Sequence, residues 1–154
     1  MKKFLSVLTL SSALLLTGCG DTAETPEDTA EGLQDGSYRV EDVNFGETGW
    51  KEALDITVDG GEITEATWES VDEDGNKKIE DEDYQETMSN VNEIGPQDFI
   101  PELEGQLVDT QDPAQVEVVT GATGTSEKFQ DYAQQAVDAA AEGNTETIEV
   151  DNAE

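Results

Sequence analysis

Histidine is absent from the 154-residue chain, and cysteine occurs once, at Cys19. Without histidine the commonest general base and metal-ligating side chain is missing, which excludes Ser-His-Asp and Cys-His catalysis. A lone cysteine excludes a disulfide framework and a thiolate metal site. Basic residues are also scarce: 7 Lys and Arg stand against 38 Asp and Glu, a formal charge of −31. Such a surface repels nucleic acid, whose binding depends on Lys and Arg contacts to phosphate, so no nucleic-acid partner is expected. Long apolar runs are lacking as well. The one uncharged stretch, Phe4 to Leu16, has 13 residues, short of the ~20 that a membrane-spanning helix needs.

That stretch follows the basic Met1-Lys2-Lys3 and ends in Leu16-Thr17-Gly18-Cys19, which resembles a bacterial lipobox. Residues 1–18 then read as a lipoprotein signal peptide. Cleavage would precede Cys19, and lipid on its thiol would anchor the protein to the extracytoplasmic face of the cell membrane. The mature chain would carry 5 basic and 38 acidic side chains, a formal charge of −33. That acidity fits either a solvated surface suited to a salt-rich habitat or the steering of cationic acceptors. Residues 19–34, rich in Asp, Glu, Thr and Ala, read as a flexible, self-repelling tether. Residues 35–150 suffice for one domain, and residues 151–154 form an acidic tail.

Within the domain, strand periodicity comes first. Ser37 to Phe45 opens it, with Tyr38, Val40 and Phe45 as apolar contacts, and Trp50, Leu54, Ile56 and Val58 share one face of an alternating strand. Asp59-Gly60-Gly61 predicts a hairpin turn into a return strand from Ile63 to Val71. Asp72 to Asn76 invites a calcium reading, but an EF-hand loop needs Gly where Lys77 stands. Helical spacing follows over Glu80 to Val91, with Tyr84, Met88 and Val91 on one side. A second helix after Gly95-Pro96 carries Phe99, Leu103 and Leu107, with Pro101 in its first turn. A strand from Gln115 to Val119, a helix from Glu127 to Glu142 ended by Gly143, and a strand from Thr145 to Val150 complete the chain. The pattern predicts an α+β fold, a mostly antiparallel twisted sheet packed with helices.

The most informative segment is Thr120-Gly121-Ala122-Thr123-Gly124-Thr125-Ser126. A small, hydroxyl-rich turn leading into a helix can hold a phosphate, because its N–H groups and the helix dipole face the anion. The same hydroxyls can equally satisfy turn and helix-start N–H groups, with Ser126 as the expected N-cap.

The Thr-Gly-Ala-Thr sequence ending at Thr123 resembles the attachment motif of the FMN-binding domain family. The similarity extends through Asp35-Gly36-Ser37-Tyr38, Gly49-Trp50-Lys51, Ile56 to Ile63, Asp81 to Met88, Gly95-Pro96, Phe99 to Leu107 and Ala139 to Gly143. It is greatest for flavinylated surface lipoproteins of Gram-positive bacteria that serve extracellular electron transfer. The resemblance implies FMN as cofactor, esterified through its phosphate to Thr123 by a flavin transferase that uses FAD and Mg²⁺. It implies an electron donor in the membrane, a quinol or flavoprotein, and an extracellular acceptor such as ferric iron or free flavin. The family motif begins with Asp six residues before the modified Thr, where this chain has Glu117. Trp50, Tyr84 and Met88 are candidates for packing on the isoalloxazine. An acidic setting would favour oxidised flavin and lower its potential.

Overall fold

The computed structural model describes residues 32–152. The signal peptide, Cys19, most of the tether and the last two residues of the tail lie outside the described residues. Strands β1 (Gly36–Asp42), β2 (Lys51–Asp59) and β3 (Glu62–Val71) form an antiparallel meander. Strand β4 (Ile148–Val150) then joins β1 in parallel, giving the order β3-β2-β1-β4. The helices are α1 (Glu82–Asn92), α2 (Pro96–Thr110) and α3 (Thr123–Glu142). Single 3-10 turns lie at Lys78–Glu80 and Pro113–Gln115. The fold is α+β with a mostly antiparallel sheet.

Side-chain alternation sorts the sheet into two faces. Tyr38 and Val40 of β1, Leu54, Ile56 and Val58 of β2, and Ala66 and Trp68 of β3 are buried beneath α2 and α3. The helices meet them with Phe99, Leu103 and Leu107 from α2 and with Phe129, Ala133, Ala136 and Ala140 from α3. Each large apolar side chain so buried contributes roughly 1.5–3 kcal/mol. The opposite face is polar: Arg39 pairs with Glu41 and Asp55, and Lys77 pairs with Glu69. Gly60 and Gly61, at φ 66° and 81°, make the two-residue hairpin loop, a conformation that L-residues with side chains resist.

The exposed edge of β3 is covered by α2. The Gln111 side chain accepts from the Ile63 N–H at 2.7 Å and donates to the Ile63 carbonyl at 2.8 Å. Glu104 accepts from the Trp68 N–H at 2.7 Å. These bonds occupy backbone groups that would otherwise template another strand. Burial raises the Glu104 pKa, against the lowering effect of the Trp68 N–H.

Several expectations are corrected. The first strand ends at Asp42, and Phe45 is 43% exposed in the following loop. On α1, Val91 is 74% exposed and no residue is buried. Helix α2 starts at Pro96, so Pro101 stands in its second turn, where it is exposed. Residues Gln115 to Val119 are not a strand. Val116 and Val119 are buried as an apolar run should be, but side chains take the backbone groups. Gln106 accepts from the Glu117 N–H at 2.6 Å, Ser126 accepts from the Val119 N–H at 3.1 Å, and Gln130 donates to the Val116 carbonyl. The final strand shortens to Ile148–Val150. At Asp72 the carboxylate accepts from the Asp74 and Asn76 N–H groups and from the Asn76 amide. Among the described residues no acidic cluster is placed to hold a metal ion.

Candidate functional site

Helix α3 begins at Thr123, four residues before the sequence reading placed it. The reason is Ser126. Instead of capping the helix it is fully buried inside the first turn, donating to the Ala122 carbonyl at 2.9 Å and accepting from Val119. The N-cap is therefore Ala122, whose side chain has no hydrogen bond to give. The N–H groups of Thr123, Gly124 and Thr125 precede the intrahelical ladder and are left with the positive end of a 20-residue helix.

The TGAT turn suits a phosphate ester in three further respects. Thr123 and Thr120 are exposed, Thr125 is half-buried, and Ala122 is buried as the anchor of the turn. A Cβ on Gly124 would meet nothing within 4 Å, so open space lies above the first turn. Gly121 is required by its surroundings. Its φ is +89°, and a Cβ there would lie 2.8 Å from both the Asn92 carbonyl and Ile94 Cγ2, so only glycine lets the turn sit against the end of α1. Glu117 is exposed six residues ahead of Thr123.

From this turn a ring of contacts encloses a groove. Asn92 at the end of α1 touches Gly121. Near the start of α1, Tyr84 packs edge-on against Trp50, with centroids 5.7 Å apart. Trp50 lies 5.0 Å from the Lys78 ammonium, which pairs with Glu52 at 3.2 Å. Glu52 also pairs with Lys128 at 2.9 Å, and Lys128 stands one helical turn, about 5.4 Å, beyond Gly124 on α3. An open cavity of about 830 Å³ at Lys128 is lined also by Asn44, Phe45, Glu47, Thr48 and Asn152. That is within the ~300–1,000 Å³ usual for ligand pockets. Of the aromatic and apolar candidates, Trp50 and Tyr84 are together in the ring, and Met88 lies one turn further along α1, half-buried.

The sequence reading missed a polar row at this end of the core. Asp42, Glu52 and Ser70 occupy core-facing positions on β1, β2 and β3 and stand side by side across the strands. Asp42 is fully buried. Its carboxylate accepts from Lys128 at 2.7 Å, from the Glu52 N–H at 2.9 Å and from the Tyr132 hydroxyl. Burial, followed by the hydrogen bond to Asp42, pushes the Tyr132 pKa far up. Burial lowers the Lys78 pKa, only partly opposed by Glu52, whereas for Lys128 the bonds to Asp42 and Glu52 outweigh burial and raise it. Strand parity carried the signal: Asp42 continues the Tyr38, Val40 alternation and Glu52 precedes Leu54, so both carboxylates fall on the buried face.

A family model described as an FMN-binding domain matches residues 23–138. A curated relative from Treponema pallidum, the 15 kDa lipoprotein, is 34% identical over 116 residues, spanning 75% of this chain and 82% of that protein. A crystal structure of a Clostridium perfringens protein is 39% identical with a TM-score of 0.75, covering 79% of this chain and 99% of the other.

Proposed function

The chain belongs to the FMN-binding domain family, and on that premise we propose that it is a lipid-anchored extracytoplasmic flavoprotein that carries FMN on Thr123 and relays electrons outward. The observation that supports this reading is the exposed Thr123 hydroxyl at the first position of a long helix whose N–H groups lack a side-chain cap. A phosphate esterified there meets the helix dipole and the open space over Gly124. Glu117 keeps the carboxylate of the family motif with one methylene more.

Bound flavin supplies the redox chemistry, and the protein supplies location and tuning. Gly121 holds the turn against α1, while Trp50 and Tyr84 offer flat walls to an isoalloxazine. Covalent attachment suits an extracellular site, where a dissociating cofactor would be lost. Lipid on Cys19, suggested by the lipobox and by the relative's name, holds the domain at the membrane. The tether lets it move between a membrane quinol or flavoprotein donor and an acceptor such as ferric iron or free flavin. Among the described residues no helix is long and apolar enough to cross a membrane.

The test is the intact mass of the exported protein, co-expressed with a flavin transferase, beside a Thr123→Ala variant. A gain of one FMN less one water, with in-gel flavin fluorescence, is expected in the parent alone. An unmodified, colourless parent would overturn the proposal in favour of a lipoprotein that binds a phosphate-bearing ligand non-covalently.

A further inference from the structure

Beyond Lys2 and Lys3, five basic side chains serve the whole chain: Arg39, Lys51, Lys77, Lys78 and Lys128. The first three lie on the outer face of the sheet among Glu41, Asp55 and Glu69. The other two converge on the groove and share Glu52. Ion pairs removed from water seldom stabilise a fold more than apolar packing would, so stability gives no reason for a cation-poor chain to place two lysines there. Their arrangement is directional. Side-chain exposure is nil at Asp42, 8% at Lys78, 13% at Glu52 and 29% at Lys128. The two carboxylates therefore lie inward, and Lys128 alone of the four lines the cavity.

We infer that Lys128 is the tuning cation of the flavin groove, holding its ammonium beside the isoalloxazine and favouring the reduced, anionic cofactor over the oxidised one. The inference rests on the proposed attachment at Thr123, which puts the cofactor on the helix that carries Lys128. Reduction by two electrons and one proton, both drawn from an external reductant and the medium, leaves the ring system with one more negative charge. A fixed ammonium in a partly desolvated groove stabilises that charge. The distant acidic surface acts through water and salt, which screen it beyond a Debye length of ~8 Å. The groove thus opposes the protein's overall charge. Asp42 and Glu52 position Lys128, with Tyr132 orienting Asp42 from behind.

The experiment is spectroelectrochemical titration, with dithionite as reductant, of the flavinylated parent, Lys128→Arg, Lys128→Met and the double variant Asp42→Asn/Lys128→Met. The double variant removes both charges of the pair, so no carboxylate is stranded in the core if the single variant fails to fold. Lys128→Met is expected to lower the preference for reduced over oxidised flavin about tenfold, a fall of about 30 mV for a two-electron couple. The double variant should fall in the same direction and by less, and Lys128→Arg should match the parent. A folded, flavinylated double variant with an unchanged or raised potential overturns the inference while leaving attachment intact. A folded double variant that takes up no flavin also overturns it, since Lys128 is assigned no part in attachment. A parent whose mass shows no flavin removes the attachment reading and this inference with it.

Discussion

Helices α1 and α3 both border the groove, yet they are held in different ways. Helix α3 buries seven of its 20 residues, including Phe129, Tyr132 and four alanines that let it lie close to β1 and β2. Helix α1 buries none of its 11 residues. It is fixed by an Asp81 cap on the Tyr84 N–H, by the edge contact of Tyr84 with Trp50, and by Gln85, which bonds Asp98 and the Gln97 N–H at the start of α2. A helix of that length without a buried face is marginal by itself. The groove therefore has one rigid wall, bearing Thr123 and Lys128, and one wall held at its ends. Such an arrangement keeps the attachment point fixed while the opposite side can open for a cofactor or a maturation enzyme.

Three substitutions probe this contrast. Phe129→Ala removes a fully buried ring that packs 5.6 Å from Trp68. It is expected to cost about 3–5 kcal/mol of global stability, read by urea denaturation. A loss below about 1 kcal/mol would show that α3 is not the rigid wall. Gly121→Ala forces a side chain into positive φ and against the Asn92 carbonyl. It should cost about 1–3 kcal/mol, and the displaced α1 should lower the near-ultraviolet circular dichroism of Trp50 and Tyr84. If that signal survives intact, the turn does not position α1. Asp81→Ala deletes the α1 cap and should cost about 1 kcal/mol, with faster hydrogen exchange confined to residues 82–92. Equal acceleration throughout α3 would mean the two walls open as one unit.

Legibility in the sequence followed the same division. Periodicity of two marked β1 to β3 correctly because one sheet face is buried, and spacing of four found Phe99, Leu103 and Leu107 because α2 has a single apolar stripe. Val91 misled, since periodicity signals a face that could be buried and α1 meets no core there. The run at Val116 to Val119 misled for a related reason. Its apolar residues point inward as in a strand, but no strand lies beside it and three side chains take its backbone bonds. Ser126 illustrates the same limit, since an N-cap and a buried serine one turn later have the same composition.

What the sequence determined by itself is local: the hairpin glycines, the αL glycine that ends α3, the alternation of the sheet and the TGAT word that names the family. Each depends on the conformational preference or hydropathy of neighbouring residues. The tertiary structure decided which distant residues meet. Strand register sets Asp42 beside Glu52 and Ser70, and the approach of α3 brings Lys128 onto Asp42 across 86 positions of chain. No local propensity encodes that meeting, because it depends on how the pleated face and the helix are packed against one another.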